Sequence, residues 1–255
     1  MILLLPFLVS LATATDEGGV VGDLSYDGSL SETASSYTVG KPVSISHSGG
    51  NVTVNCIGSD KLSARLPFSI TGSAEGPMET AGKGIGVRAS GDGKGGGVVA
   101  TRMPSKPSGV ASIDAPLTVN VPAGASSVSV SQNGAGWVSV RNCSGILKIS
   151  AGSGGVFASG AYTSATIAAA GGDVKFTADS GSVLTGNSSF SAAGGNVILQ
   201  LTSAQGGKLS AKGALVTTAM SVSGTNEANL VAGTFGIGGP TVNVSAKLNV
   251  EITAP

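Results

Sequence analysis

Gly136-Trp-Val138-Ser-Val140-Arg-Asn-Cys143-Ser-Gly145-Ile-Leu147-Lys-Ile149 decides how this chain is read. Apolar residues fall on alternate positions, and the two runs open on glycines nine residues apart. Period two places one face of a strand in a core and the other in water, so each run reads as a half-buried strand. The same phrase returns in Gly172-Asp-Val174-Lys-Phe176, Gly181-Ser-Val183, Gly195-Asn-Val197-Ile-Leu199 and Gly207-Lys-Leu209. Further out, Val43-Ser-Ile45, Val52-Thr-Val54, Leu117-Thr-Val119-Asn-Val121, Val128-Ser-Val130, Val242-Asn-Val244 and Leu248-Asn-Val250-Glu-Ile252 keep the alternation. No stretch carries a convincing period of 3.6. The most Ala-rich piece, Ala165 to Ala170, is short and runs into Gly171-Gly172, so no helix of useful length is expected there.

Short strands punctuated by glycine, each too thin to bury its own apolar face, predict an all-β chain of stacked coils, a β-solenoid. Successive coils would cover one another. A β-sandwich has the same strand spacing and stays open as the alternative for the first half, residues 41 to 120, where the glycine phrase is rarer. Ten aromatic residues in 255 agree with a narrow interior that holds Val, Ile, Leu and Ala.

Composition excludes several functions. The 14 basic and 14 acidic residues cancel to zero net charge, which cannot supply the cationic footprint that a phosphate backbone requires, so no nucleic acid is expected as partner. The apolar fraction of 41% is too high for a disordered chain.

Residues 1–14, MILLLPFLVSLATA, hold an apolar run from Ile2 to Leu11 followed by Ala12-Thr13-Ala14, the pattern of a cleaved secretory signal, although no basic residue precedes the run. The run falls well short of the roughly 20 apolar residues that span a bilayer, and no second candidate span follows. Residues 15–36 carry Asp16, Glu17, Asp23, Asp27 and Glu32 with no base, and read as a solvated acidic leader. Residues 37–255 then form a single domain, with a subdivision near Pro116 as the alternative.

Three phrases, Gly50-Asn-Val52-Thr-Val54, Leu117-Thr-Val119-Asn-Val121-Pro122 and Gly236-Ile-Gly238-Gly239-Pro240-Thr-Val242-Asn-Val244, occur in an order that resembles the putative-adhesin family of secreted Gly-rich proteins, a domain-of-unknown-function class. The resemblance spans roughly residues 37 to 255. The chain departs from it near the end, where Ala246-Lys247 stands ahead of Leu248 in place of a glycine. What the resemblance implies is an extracytoplasmic β-solenoid with no established catalytic residue; it carries no site to any position here.

Reactive side chains are sparse. His47 is the only imidazole, it sits in Ser46-His47-Ser48-Gly49-Gly50, and no Gly-x-Ser-x-Gly elbow accompanies it, so it reads as a solvated turn residue. One His and two distant Cys leave too few ligands for zinc. Gly91-Asp-Gly93-Lys-Gly95-Gly96 matches a dinucleotide fingerprint by letter only: Gly97-Val98-Val99 continues it as a strand, whereas pyrophosphate binding requires a helix N-terminus. It reads as a hairpin loop kept soluble by Asp92 and Lys94. No cofactor is expected.

Asp173, Lys175 and Asp179 form the one ionisable cluster in the second half, with Asp173 and Lys175 two apart on one strand face. It reads as a solvated salt-bridging face that needs no function; a glycan-cleaving solenoid, which would need such a group, is the alternative. Trp137, Tyr162 and the phenylalanines form no visible stripe and read as single buried aromatics. No Thr-x-Thr array of the kind that binds ice is present.

Cys56 and Cys143 each close a similar phrase, Val52-Thr-Val54-Asn-Cys56 and Val138-Ser-Val140-Arg-Asn-Cys143, so they would stack side by side in equivalent coils. In the oxidising compartment implied by the signal they are candidates for a disulfide; two separate buried thiols are the alternative. Asn51, Asn142, Asn187 and Asn243 head N-x-Ser/Thr sequons. The reading that emerges is a non-enzymatic secreted or envelope protein that binds a surface component or spaces other components. A polysaccharide-cleaving solenoid and a self-assembling structural protein are the alternatives.

Overall fold

Alternation becomes strand in nearly every run of the computed structural model, which describes residues 24–254; the exception is Gly181-Ser-Val183, expected as a strand, which is a turn and loop between Val174–Ala178 and Ser188–Ala192. The signal expected over residues 1–14 and the first part of the leader lie outside the described residues. The described chain is all-β: twenty strands joined in one hydrogen-bonded sheet, with a single helix.

Two parallel ladders carry the architecture. The first passes from neighbour to neighbour through Leu117–Pro122, Val52–Ile57, the start of Val138–Ala151, the start of Val156–Ala169, Val174–Ala178, Val197–Gln200, Asn249–Thr253 and Leu215–Thr218. The second passes through Gly97–Arg102, Val43–His47, Ser127–Gln132, the end of Val138–Ala151, the end of Val156–Ala169, Ser188–Ala192, Thr241–Ala246 and Gly207–Lys212. Two 14-residue strands, Val138–Ala151 and Val156–Ala169, belong to both ladders. They bend between them: the register slips between Arg141 and Cys143 and again between Gly145 and Ile146. Asn142 and Gly145 supply the positive φ, 58° and 80°, that the bend requires.

The core lies between the ladders. In the first, Leu117, Val52, Val138, Val156, Val174, Val197, Val250 and Val216 occupy one inward column and all are buried. β-Branched residues fit such a column because each packs against its copies above and below on a pleated surface. Larger side chains cross the middle, where Phe176 lies 5.0 Å from Phe190 and 5.8 Å from Tyr162, centroid to centroid. Where the second ladder turns, Ala151, Ala169, Ala192 and Ala246 follow one another in register. The Ala-rich segment is therefore strand, as its glycine boundary predicts, and its small side chains line a tight corner.

Four further expectations are corrected. Residues 24–33 of the expected leader are not merely solvated: Leu24–Thr33 pairs antiparallel with Ser63–Gly72 over ten residues, and Tyr26 is buried. A helix does form, at Glu75–Gly84. Met78, Ala81 and Gly82 are its buried side, and Lys83 bonds Glu79 at 2.7 Å across one turn; with so few apolar positions the period is hard to see among glycines. Strand order does not follow chain order at either end. Val43–Ile57 lies between strands from 97–122 and 127–151, and Thr241–Thr253 lies between strands from 188–200 and 207–218. Insertion gives both segments hydrogen-bonding partners on both sides. The outer strands of the second ladder are then covered antiparallel, Gly97–Arg102 by Gly86–Gly91 and Gly207–Lys212 by Leu230–Phe235, which blunts those edges. The fourth correction concerns Asp92. Gly86–Gly91 and Gly97–Arg102 form the expected hairpin, yet Asp92 does more than solvate its loop, because its Oδ1 accepts the backbone N–H of Lys94 at 2.7 Å and of Gly96 at 2.8 Å.

Candidate binding face

Outward positions of the first ladder also align into columns. Thr118, Thr53, Ser139, Phe157, Lys175, Ile198, Glu251 and Thr217 form one; Asn120, Asn55, Arg141, Ser159, Thr177, Gln200 and Thr253 form the next. Neighbouring strands in a sheet lie about 4.8 Å apart, so each column is a regular row of side chains on a stiff support.

One aromatic pair interrupts this polar surface. Trp137 and Phe157 stack with centroids 4.9 Å apart and planes 22° from parallel, and they are 43% and 42% exposed. Their expected burial is corrected, because Trp137 ends a turn and Phe157 occupies an outward position of its strand. Tyr162, by contrast, is buried as expected. Backbone bonds fix the Trp: its N–H donates to Asn51 Oδ1 at 2.8 Å, and its carbonyl accepts from Val52 N at 2.8 Å. Gly155 forms the floor under the indole, since a Cβ there would collide with the Trp137 ring and approach the Asp173 carbonyl at 2.7 Å.

Beside the pair is a shallow cavity of about 160 Å³, lined by Val140, Arg141, Phe157, Ala158, Ser159, Lys175 and Thr177. Arg141 donates Nε to Ser139 Oγ at 3.2 Å, which draws the guanidinium toward the aromatic column. The only ion pair among the described residues is Lys83–Glu79, so Arg141 and Lys175 hold no carboxylate partner. No periodicity signals this site. Trp137 and Phe157 come from different strands, and only parallel register brings them together.

Other candidates divide differently. Asp173 Oδ1 accepts from Asn196 N at 2.7 Å and from its Nδ2 at 3.0 Å, tying it to the next strand. Asp179 sits in a turn where its carbonyl accepts from Ser182 N and Oγ. Neither acid lines the cavity that holds Lys175, so the expected cluster is not assembled around one space. An open groove of about 620 Å³ between residues 183–187, 204–206 and 237–240 has no ionisable side chain in its lining.

His47 is not a solvated turn residue. It ends a strand and is 1% exposed, with Nε2 2.6 Å from the Gly49 carbonyl and Nδ1 2.9 Å from Thr101 Oγ1. A carbonyl only accepts, so Nε2 carries the proton and Nδ1 accepts from the threonine. Burial pushes the imidazole pKa below its ordinary value, while the Gly49 and Ala115 backbone bonds and Asp114 pull it upward. Its ring is a structural clasp. Among the described residues no group of three His, Cys, Asp or Glu converges as for a metal.

Cys56 and Cys143 are joined, with Cα atoms 4.9 Å apart across neighbouring strands. Of the sequon residues, Asn51 Oδ1 caps Trp137, Asn187 Oδ1 accepts from Thr241 N at 3.0 Å, and Asn142 and Asn243 are exposed on strands. Among the described residues no helix is long and apolar enough to cross a membrane.

No family model and no curated protein matches the chain. It is similar in structure to a putative cell adhesion protein from Clostridium sporogenes, 13% identical over 90% of this chain and 100% of that one, with a TM-score of 0.45. It is also similar to a putative adhesin from Bacteroides fragilis, 12% identical over 88% and 96%, with a TM-score of 0.44. A putative lipid binding protein from Parabacteroides distasonis follows at 8% identity over 88% and 96%, with a TM-score of 0.33. At such scores the likeness says nothing of what this chain binds.

Proposed function

We propose that the chain is an extracytoplasmic β-solenoid that binds a component of a cell surface through its first-ladder face and does no chemistry on it. The observation that carries this reading is the exposed Trp137–Phe157 stack on a rigid sheet. A large apolar ring pair left in water has a cost that burial against a partner removes, and aromatic anchors of this type dominate binding energetics. The disulfide supports an oxidising compartment. Two parallel ladders with stacked inward columns support coils rather than a sandwich.

Cleavage of glycans is the weaker reading, because glycoside hydrolysis uses a pair of carboxyl groups and the lining of the Lys175 cavity contains none. End-to-end assembly is weakened by the antiparallel strands that cover the outermost strands of the second ladder. Incubating the mature protein with cell-envelope fractions tests the proposal. Retention on the fractions is expected, and it should disappear in the Trp137→Ala/Phe157→Ala double variant while the circular dichroism spectrum is unchanged. Release of reducing ends from a polysaccharide, abolished when Asp173, Lys175 and Asp179 are all changed to Ala, would replace binding by catalysis.

A further inference from the structure

Resting on that reading, we infer that the Trp137–Phe157 face takes an acidic polysaccharide, a uronic-acid chain, with a sugar ring on the aromatic pair and its carboxylate between Lys175 and Arg141. Three features of the face select this class.

Stacked with centroids 4.9 Å apart, the half-exposed rings leave an outer π face, which is negative, and the C–H groups of a pyranose ring, polarised by their oxygens, present positive charge to it. Next comes charge. Lys175 stands directly beside Phe157 in register, and Arg141 stands directly beside Ser159, so the two cations flank the Phe157 strand from opposite sides. Neither has an ion-pair partner among the described residues. With Nε held by Ser139, Arg141 keeps its two terminal nitrogens for the fork that matches a carboxylate. Among the described residues, Glu251, two strands beyond Lys175, and Asp173, engaged by Asn196, bound the cationic stretch. The third feature is the rim. Ser139, Ser159 and Thr177 surround the pair with hydroxyls suited to sugar hydroxyls.

Scale decides against other partners. A cavity of about 160 Å³ is smaller than the roughly 300 Å³ at which drug-sized pockets begin, so it admits one ring of a chain that continues across the surface. Two cations on a neutral protein are too few for a nucleic acid. Protein interfaces surround their anchors with an apolar core, whereas this pair stands among hydroxyls and charges.

Titration calorimetry with the full chain tests the inference, using polygalacturonate and alginate, each as the free acid and as its methyl ester. The ester keeps the ring and removes the charge. Binding to at least one free acid is expected, weakened about tenfold or more by esterification and by Lys175→Gln or Arg141→Gln, since a charge-assisted hydrogen bond is worth about that factor. Trp137→Ala should abolish binding to both forms. Equal binding of acid and ester, or Gln variants that bind as the parent does, would overturn the uronate assignment. Failure to bind any of the four probes would also overturn it, and the envelope fractions then separate the cases. If Trp137→Ala still loses those fractions, only the ligand class is wrong; if it keeps them, the binding face is wrong as well.

Discussion

Cys143 reaches Cys56 because Asn142 takes one residue out of the register between their strands. Val138 through Arg141 pair one to one with Val52 through Asn55, so an unbroken ladder would set Asn142, not Cys143, opposite Cys56. The left-handed backbone of Asn142, at φ 58°, absorbs the extra position and turns the Cys143 side chain inward. Cross-linking residues 87 apart is worth about 4 to 5 kcal/mol in the chain-entropy account. Replacing both cysteines by Ser should therefore lower the stability by that amount in a urea titration. A reductant should destabilise the parent and leave the double variant unchanged.

Asn142 itself should be sensitive to side-chain shape. Asparagine tolerates the left-handed region and a β-branched residue does not, so Asn142→Val is expected to cost about 1 to 2 kcal/mol. Asn142→Gly should be close to neutral. Thermal melts of the two variants check this, and equal losses in both would mean that the side chain, not the backbone, matters.

The platform depends on the absence of a side chain beneath it. Gly155→Ala places a methyl group where the Trp137 ring lies. Indole fluorescence and near-ultraviolet circular dichroism should both change in this variant, and envelope binding should fall with them.

Stability should fall in mild acid because of His47. Its folded pKa lies below the ordinary 6.5, so the unfolded chain binds the proton more readily than the folded one. The contribution is complete above pH 6.5 and is lost as pH falls from there toward the depressed folded value. Denaturant midpoints measured from pH 8 to pH 5 should show this slope. His47→Gln, which can still donate and accept, should flatten it.

Phe176 anchors the interior where the ladders face each other, fully buried against Phe190 and Tyr162. Phe176→Ala should cost about 3 to 5 kcal/mol, the usual range for a truncated core aromatic. A loss below about 1 kcal/mol in denaturant titration would show that neighbouring strands collapse into the space.

Much of this was legible in the chain. Alternation at Val52-Thr-Val54 or Val174-Lys-Phe176 told which side chains face inward, because the pleat of a strand fixes that locally. The matching phrases before Cys56 and Cys143 told that these residues are neighbours. Burial of His47 was not legible, since a Ser- and Gly-flanked imidazole has no local mark of the Thr101 hydroxyl that meets it from 54 positions away. Nor was the helix at Glu75–Gly84, whose buried side is three small or flexible residues.

The amino-acid order determined by itself that the chain is all-β and which side chains of most strands face inward, and it offered Cys56 and Cys143 as candidates for a bridge that the structure then showed. Tertiary structure alone decided that Val43–Ile57 and Thr241–Thr253 insert between strands from elsewhere in the chain, and that Trp137 meets Phe157 on an exposed face beside Arg141 and Lys175. The reason is physical. Periodicity is a property of each segment's own backbone, whereas the choice of neighbour is made between segments joined by loops whose closing entropy changes only slowly with length.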